Sequence, residues 1–247
     1  MVEALLGGYT KELGVLISQT TDPAQNLSLE ATLFQAVEQG IFEDTLVFYV
    51  NSSCLVRGRT KSPSYGWYNE ELATRLGIRV YTRITGGGVV YHDEGNLNWS
   101  FILRPKEVFL SPKKVFHEGS KHIVAALNAL DLKAHYSPPN RIDLAGFKVS
   151  GMAAYSSIKA LLVHGTLLVN TDLNLLNRLC IPPPGCPSVT NLSEHAQVRF
   201  GDIVQATVSS LIQAGFKTTS LEEADVVTLR GEGFGGGPHI KKDDWFI

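Results

Sequence analysis

Residues 82–97 read TRITGGGVVYHDEGNL, and the way this stretch is read decides what surrounds it. Three consecutive glycines between β-branched flanks are hard to justify by folding alone, because glycine loses more backbone entropy on ordering than any other residue. Ile78, Arg79, Val80 and Tyr81 before them and Val89, Val90 and Tyr91 after them have strand character. Gly86, Gly87 and Gly88 are therefore expected to form a tight connection between two strands. Such a loop lets backbone N–H groups approach an anion closely. Arg83, three residues before Gly86, could grip the same phosphate with a bidentate guanidinium. The plainer alternative is an ordinary hairpin beside a solvated arginine. His92, Asp93, Gly95, Asn96 and Asn98 lead into a strand in which Leu97, Trp99, Phe101 and Leu103 alternate with Asn98, Ser100 and Ile102, so one apolar face meets a core. A polar loop carried on a rigid strand is a favourable place for a site.

Working outward, a helix is expected over 23–39, with Leu27, Ala31 and Phe34 at helical spacing and Gly40 as its stop, followed by a strand over 45–50. A second helix is expected over 112–130, capped by Ser111 and started by Pro112. Further strands are expected at 55–57, 80–83, 89–91, 97–103, 147–149 and 161–169, and helices near 172–179 and 202–214. Clustered strands with helices around them indicate an α/β (α+β) fold on a largely antiparallel sheet.

The 247 residues are read as one domain spanning 1–247. A 44% hydrophobic content, 19% charged residues and a net charge of −2 exclude a global pull toward nucleic acid or membrane, so any basic site is local. The start, MVEALLGGYTKELG, lacks a signal-peptide pattern and no apolar stretch reaches membrane-spanning length, so a cytoplasmic location is expected. Cys54, Cys180 and Cys186 are odd in number, which suits a reducing compartment. Cys54 reads as core, and Cys180 and Cys186 flank a proline-rich IPPPG loop. His117 and His122 are five apart, off a common helical face, and read as helix-surface residues rather than metal ligands.

The segment TRITGGGVVYHDEGNLNWSF resembles the signature loop of the lipoate-protein ligase A family, R-[RK]-x-[ST]-G-G-G-x-V-[YF]-H-D-x-G-N. A second block at 140–169, NRIDLAGFKVSGMAAYSSIKALLVHGTLLV, resembles that family's K-[IV]-S-G segment followed by H-G-T-L-L. Weaker echoes lie in NLSLEATLF at 26–34, VRGRTKSP at 56–63 and PSVTNLSE at 187–194. The resemblance implies a mixed, largely antiparallel sheet flanked by helices, similar to biotin-protein ligase and class II synthetase catalytic cores. It also implies a chemistry in which ATP and Mg²⁺ activate lipoate, or octanoate, to an acyl-AMP whose acyl group passes to a lysine of a lipoyl carrier domain.

The family's roles carry over residue by residue. Gly86, Gly87, Gly88, Val89, Val90 and Tyr91 match nucleotide-contacting positions, with Arg83, Thr85, His92 and Asn96 in the same block. Lys148 matches the family's essential lysine, touching both a phosphate oxygen and the acyl carbonyl. His164, Gly165 and Thr166 match positions bordering the carbonyl end of the acyl chain, although a hydrogen-bonded core histidine explains His164 nearly as well. The resemblance leaves Asp143 to hold a ribose, the metal or Lys148, and Asn140 to order the loop. Mg²⁺ is expected chiefly through phosphates, without a dedicated protein cage. Trp99, Val149, Met152 and Leu167 are expected to line the acyl tunnel.

Two departures stand out. Val163 occupies a position where many relatives carry a second histidine. Relatives of the bacterial type also continue past a tryptophan near Trp245 into an accessory domain, whereas this chain stops at Ile247, which implies a separate accessory subunit or transfer of preformed lipoyl-AMP only. The glycine-rich 231–247 reads as a flexible tail. The resemblance implies a protein partner from the dehydrogenase E2 components, the glycine-cleavage carrier or lipoate-binding proteins. Three rivals remain. An octanoyl transferase working through a thioester without ATP would need a cysteine near the lysine block, and the cysteines lie in other segments. A biotin-protein ligase would need K-x-G-G-I in place of KVSG. A noncatalytic carrier-binding module is opposed by the intact Arg83, Gly86–Gly88 and Lys148.

Overall fold

Strong local signals set the first helix in place. In the computed structural model, which describes residues 12–60, 67–105, 111–222, 224 and 226, α1 (Pro23–Gln39) begins where Asp22 accepts hydrogen bonds from the N–H groups of Ala24 and Gln25. It ends at Gly40, whose φ of 73° only glycine adopts freely. Before it runs β1 (Glu12–Ile17), and after it β2 (Thr45–Val50) and β3 (Cys54–Arg57). Next come β4 (Trp67–Tyr68), α2 (Glu70–Arg75), β5 (Arg79–Thr82), β6 (Val89–His92) and β7 (Asn96–Leu103). The long helix α3 (Pro112–Ala129) starts at Ser111, whose hydroxyl accepts from the Lys114 N–H. Beyond it lie β8 (Ala134–Ser137), β9 (Arg141–Leu144), β10 (Phe147–Ser156) and β11 (Leu161–Leu168). The described chain closes with α4 (Leu173–Leu179), β12 (Cys180–Ile181), a 3₁₀ turn at Leu192–Glu194, α5 (Phe200–Gln213) and β13 (Lys217–Leu221).

The main sheet has eight strands in the order β13-β1-β2-β7-β11-β10-β9-β8. The β13–β1 and β1–β2 pairings are parallel and the remaining ones antiparallel, so the sheet is mixed and largely antiparallel, as expected. Every residue of β7 is buried, because helices cover both faces of the sheet's centre. On one face Trp99 and Phe101 pack with Val115, Ile123 and Leu127 of α3 and with Ile203 and Leu211 of α5. On the other, Val47, Ile102 and Leu162 pack with Leu33, Phe34 and Val37 of α1. Burying these thirteen side chains, at roughly 1.5–3 kcal/mol each, anchors the layers.

A separate three-stranded sheet has the order β5-β3-β6. This corrects the expected tight connection between neighbouring strands: β5 pairs parallel and β6 antiparallel with β3, so residues 83–88 cross the end of the strand between them. The helices expected near 172–179 and 202–214 appear as α4 and α5, and the strand expected at 147–149 continues to Ser156. Strands β1, β8, β9 and β13 were not anticipated; β13 is mostly polar (KTTSL) and β8 and β9 are four residues long, so periodicity had little to act on. His122, expected on a helix surface, is buried under α5, with Nδ1 2.9 Å from the Ser210 hydroxyl. Cys54 is buried, as expected. Among the described residues no helix is long and apolar enough to cross a membrane. The segments 61–63 and 231–247 lie outside the described residues.

Candidate functional site

The small sheet and the main sheet meet around a cavity of about 750 Å³, within the range of small-molecule sites. A smaller depression of about 390 Å³ between α3 and α5 contains none of the groups singled out from the sequence. The large cavity brings together Arg83, Gly86, Gly87, Gly88, Val89 and Val90 from the glycine block, His92 from β6, Asn140 and Lys148 from the lysine block, and His164, Gly165 and Thr166 from β11. Sequence-distant blocks thus share one wall.

Arg83 explains how the glycine loop is shaped. Its guanidinium is 93% buried and donates to the carbonyls of Val56 (3.0 Å), Gly86 (2.8 Å) and Gly88 (3.0 Å) and to the Thr85 hydroxyl (2.8 Å). The expected bidentate phosphate grip is therefore replaced by a clamp on the loop's own carbonyls. Gly87 takes φ +99°, and a Cβ at Gly58 would collide with the backbone of Gly86 and Gly87, so the end of β3 backs the loop directly. Burial lowers the Arg83 pKa to about 10, leaving it charged at neutral pH, and the carboxylate of Glu30 opposes that fall.

That carboxylate belongs to a buried relay. Thr85 Oγ1 lies 2.9 Å from His164 Nε2, His164 Nδ1 lies 2.8 Å from Glu30 Oε2, and the Ser100 hydroxyl also donates to Glu30. Because Thr85 accepts from Arg83 Nε and Glu30 accepts from Nδ1, a neutral His164 carries its proton on Nδ1. Burial would raise the Glu30 pKa, but the neighbouring imidazole, the Ser100 bond and Arg83 outweigh it and hold the carboxyl below its ordinary value. His164 is thus both a bonded core residue and part of the cavity wall.

Lys148 is positioned differently. The β9–β10 register shifts between Lys148 and Ser150, an irregularity of the kind that re-aims a side chain. The backbone of Lys148 is held from its other edge by residues 188–190: its N–H donates to Ser188 (2.9 Å), and the Thr190 N–H donates to its carbonyl (3.2 Å). Its side chain lies across Gly151, where a Cβ would come 3.1 Å from Nζ. Among the described residues no carboxylate pairs with this ammonium.

Other expectations are corrected. Asp143, opposite Lys148 in register, is bound instead by Arg141 through contacts of 3.0, 3.2 and 3.0 Å, and it does not line the cavity. Burial pushes its pKa up, but the Arg141 and Ser137 hydrogen bonds win and hold it below the usual value. The side chain of Tyr91, a residue expected to act through its backbone amide, packs in a separate apolar cluster with Leu55, Leu72 and Leu179. Asn96 lies in the base of β7, its Nδ2 donating to Asn98. Trp99, Val149 and Leu167 belong to the main core, and of the four residues expected to line a tunnel only Met152 reaches the cavity. The wall also includes Tyr49, Val56, Asn98, Arg141 and the proline loop, which carries Cys186. Cys186 therefore shares a cavity with Lys148, against the reading that the cysteines lie apart from it. Cys180 is half-buried, and desolvation raises its thiol to about 12 despite nearby Lys148. Among the described residues no three His, Cys, Asp or Glu side chains converge as a metal set.

Residues 22–216 match the family model described as the lipoyl protein ligase A/B catalytic domain. Lipoate–protein ligase 1 of Staphylococcus aureus is 33% identical over 167 residues, covering 66% of this chain and 48% of that protein. The chain spans about half the length of the curated relatives it matches. Among solved structures, a lipoate-protein ligase A bound with ATP superposes with a TM-score of 0.77 at 23% identity, covering 90% of this chain and 94% of the other. A bi-partite lipoate protein ligase of Thermoplasma acidophilum, described with its E2 lipoyl domain, gives 0.74 at 22% identity, with 90% and 92% covered. At such identities the likeness is one of fold.

Proposed function

The chain belongs to the lipoyl protein ligase A/B catalytic domain family, and from that premise we propose that it activates lipoate, or octanoate, with ATP and transfers the acyl group to a lysine of a lipoyl carrier domain. The observation that carries this reading is the ammonium of Lys148, without a carboxylate partner among the described residues, on the same wall as Gly86–Gly88. A carboxylate is a poor electrophile, and joining it to the α-phosphorus with loss of pyrophosphate gives it AMP as a leaving group. Attack by the carrier's amine on that carbonyl then forms the amide and releases AMP. In this reading the loop from Gly86 to Val90 presents backbone amides to the nucleotide. Lys148 offsets phosphate charge in the first step and polarises the carbonyl in the second, where such groups act most strongly in a water-poor site. Residues 1–247 serve as one catalytic unit. Mg²⁺ would be held chiefly through the phosphates, as a small cation that keeps several waters and few protein ligands. The ATP-bound structural neighbour and the neighbour described with an E2 lipoyl domain support the nucleotide and the carrier, respectively.

A second reading has one specific observation in its favour, the presence of Cys186 in the wall of the cavity that Lys148 also lines. Here the Cys186 thiolate would displace the thiol of an octanoyl thioester, and the carrier amine would then displace Cys186.

The test is mass spectrometry of an apo carrier domain in three tubes: lipoate with ATP and Mg²⁺, synthetic lipoyl-AMP, and an octanoyl thioester. Modification in the first two supports the ligase. Modification with lipoyl-AMP alone assigns activation to an accessory polypeptide, as the bi-partite neighbour suggests. Modification only by the thioester, abolished by Cys186→Ser, supports the second reading and overturns the first.

A further inference from the structure

A chain of amide orientations fixes the proton on His92. Asn26 Nδ2 lies within 2.9 Å of the Thr20 carbonyl, 3.1 Å of the Val50 carbonyl and 2.9 Å of Asn51 Oδ1. Two backbone carbonyls can only accept, so this atom is the NH₂, and Asn51 Oδ1 must face it as an acceptor. Asn51 therefore turns its own NH₂ toward His92 Nδ1, 3.0 Å away, and Nδ1 must accept. The remaining proton sits on Nε2. That atom is fully buried without a partner among the described residues, in a side chain only 3% exposed that lines the cavity. Burial first, then the charges of Arg83 and His164, lower the His92 pKa to about 3, so the ring remains a neutral donor throughout the physiological range.

His92 stands at the far end of β6 from the loop. Four residues along an extended strand separate it from Gly88, about 13 Å at ~3.3 Å per residue. Tyr49, Val56 and Asn98 line the same cavity. Resting on the ligase reading, we propose that the His92 Nε2–H donates a hydrogen bond to a dithiolane sulfur of lipoate, and that this bond makes the site prefer lipoate over octanoate. An octanoyl chain ends in a methyl group and offers no acceptor. Apolar pockets separate analogues of similar size weakly, whereas a buried donor left without its acceptor separates them more strongly. Sulfur is a weak acceptor, so the expected preference is on the order of tenfold in kcat/KM.

Two measurements test this. The first follows the ring nitrogens of His92 by ¹⁵N NMR in the intact protein. The expected result is a pH-independent Nε2–H tautomer between pH 5.5 and 8.5, with the Nε2 proton shifted by lipoate and not by octanoate. A Nδ1–H tautomer, a titrating ring, or equal shifts from both acids would overturn the proposal. The second compares kcat/KM for the two acids in the wild type, His92→Phe and His92→Gln. Phe removes the donor and should collapse the preference, chiefly through a higher KM for lipoate. Gln places an NH₂ near the lost Nε2 and should restore part of it. A preference unchanged in His92→Phe sinks the proposal, whereas a wild type inactive with both acids and with lipoyl-AMP and octanoyl-AMP sinks the ligase reading and leaves the NMR test of the donor standing.

Discussion

The two halves of the cavity wall are built in opposite ways. On the glycine side, Arg83, Thr85, His164 and Glu30 form a buried, fully bonded relay that shapes the loop from within. On the lysine side the partly exposed Lys148 is placed by backbone alone, through a register shift in β10, a bridge to residues 188–190 and the bare surface of Gly151. A buried relay is expensive to disturb because each partner left behind is an unpaired polar group or charge in a low-dielectric interior. A partly solvated lysine costs little to lose, and its value lies in the charge it offers a ligand. The glycine side is therefore expected to matter for folding and the lysine side for chemistry.

The sharpest break of that contrast is Lys148→Ala. Ligation with ATP should fall about 10³-fold, in the range seen when one preorganised electrostatic donor is removed, while stability changes by no more than about 0.5 kcal/mol. Acyl-AMP formation and urea unfolding measured on the same preparation check both halves, and a large loss of stability would contradict the assignment. Glu30→Ala should do the reverse. Removing the countercharge of buried Arg83 and the partner of His164 should cost about 3 kcal/mol in urea unfolding, with activity falling as the loop loosens. A midpoint unchanged from wild type would show that the relay contributes nothing.

The smallest effect is an acid limb. His92 and His122 have pKa values lowered by burial to about 3 and about 4, against an ordinary 6.5 in the unfolded chain. The unfolded state thus binds protons that the native state refuses. Stability from both groups is full above about pH 6.5 and is lost as pH falls toward 4 and 3, by about 1 kcal/mol each at pH 5.5. Glu30, whose pKa is lowered, adds a further loss only below its ordinary value of 4.5. Urea midpoints between pH 7.5 and 5 should fall accordingly, and His122→Asn should flatten part of the slope. A flat profile in the wild type would contradict the buried neutral state of both rings.

The parts of this site that were legible in the sequence are those whose side-chain chemistry or backbone freedom is unusual wherever they sit. Gly86–Gly88, Lys148 and the His164–Thr166 run drew attention for that reason, and the structure brings them to one cavity. What escaped were residues whose role depends on who faces them. Glu30 lies in a helix among apolar neighbours and looks like a solvated carboxylate until Ser100 and His164 close on it. Asn51 looks like a turn residue until Asn26, twenty-five positions earlier, orients its amide. The opposite error befell Trp99, Val149 and Leu167: strand alternation names the buried face, yet it does not say whether that face meets a ligand or a helix.

Local sequence by itself determined the helix boundaries at Gly40 and Ser111, the buried strand 97–103, and the presence of a glycine loop and a lysine block that mark the family. These follow from φ/ψ limits, capping and apolar periodicity, which act over a few residues. Tertiary structure alone decided that Arg83 clamps the loop, that Asp143 pairs with Arg141 and leaves Lys148 without a carboxylate partner among the described residues, and that Cys186 and His92 line the same cavity. A side chain's ionisation, its proton's position and its partner are set by neighbours that the sheet brings within hydrogen-bonding distance, often from more than twenty residues away. No local pattern can encode them.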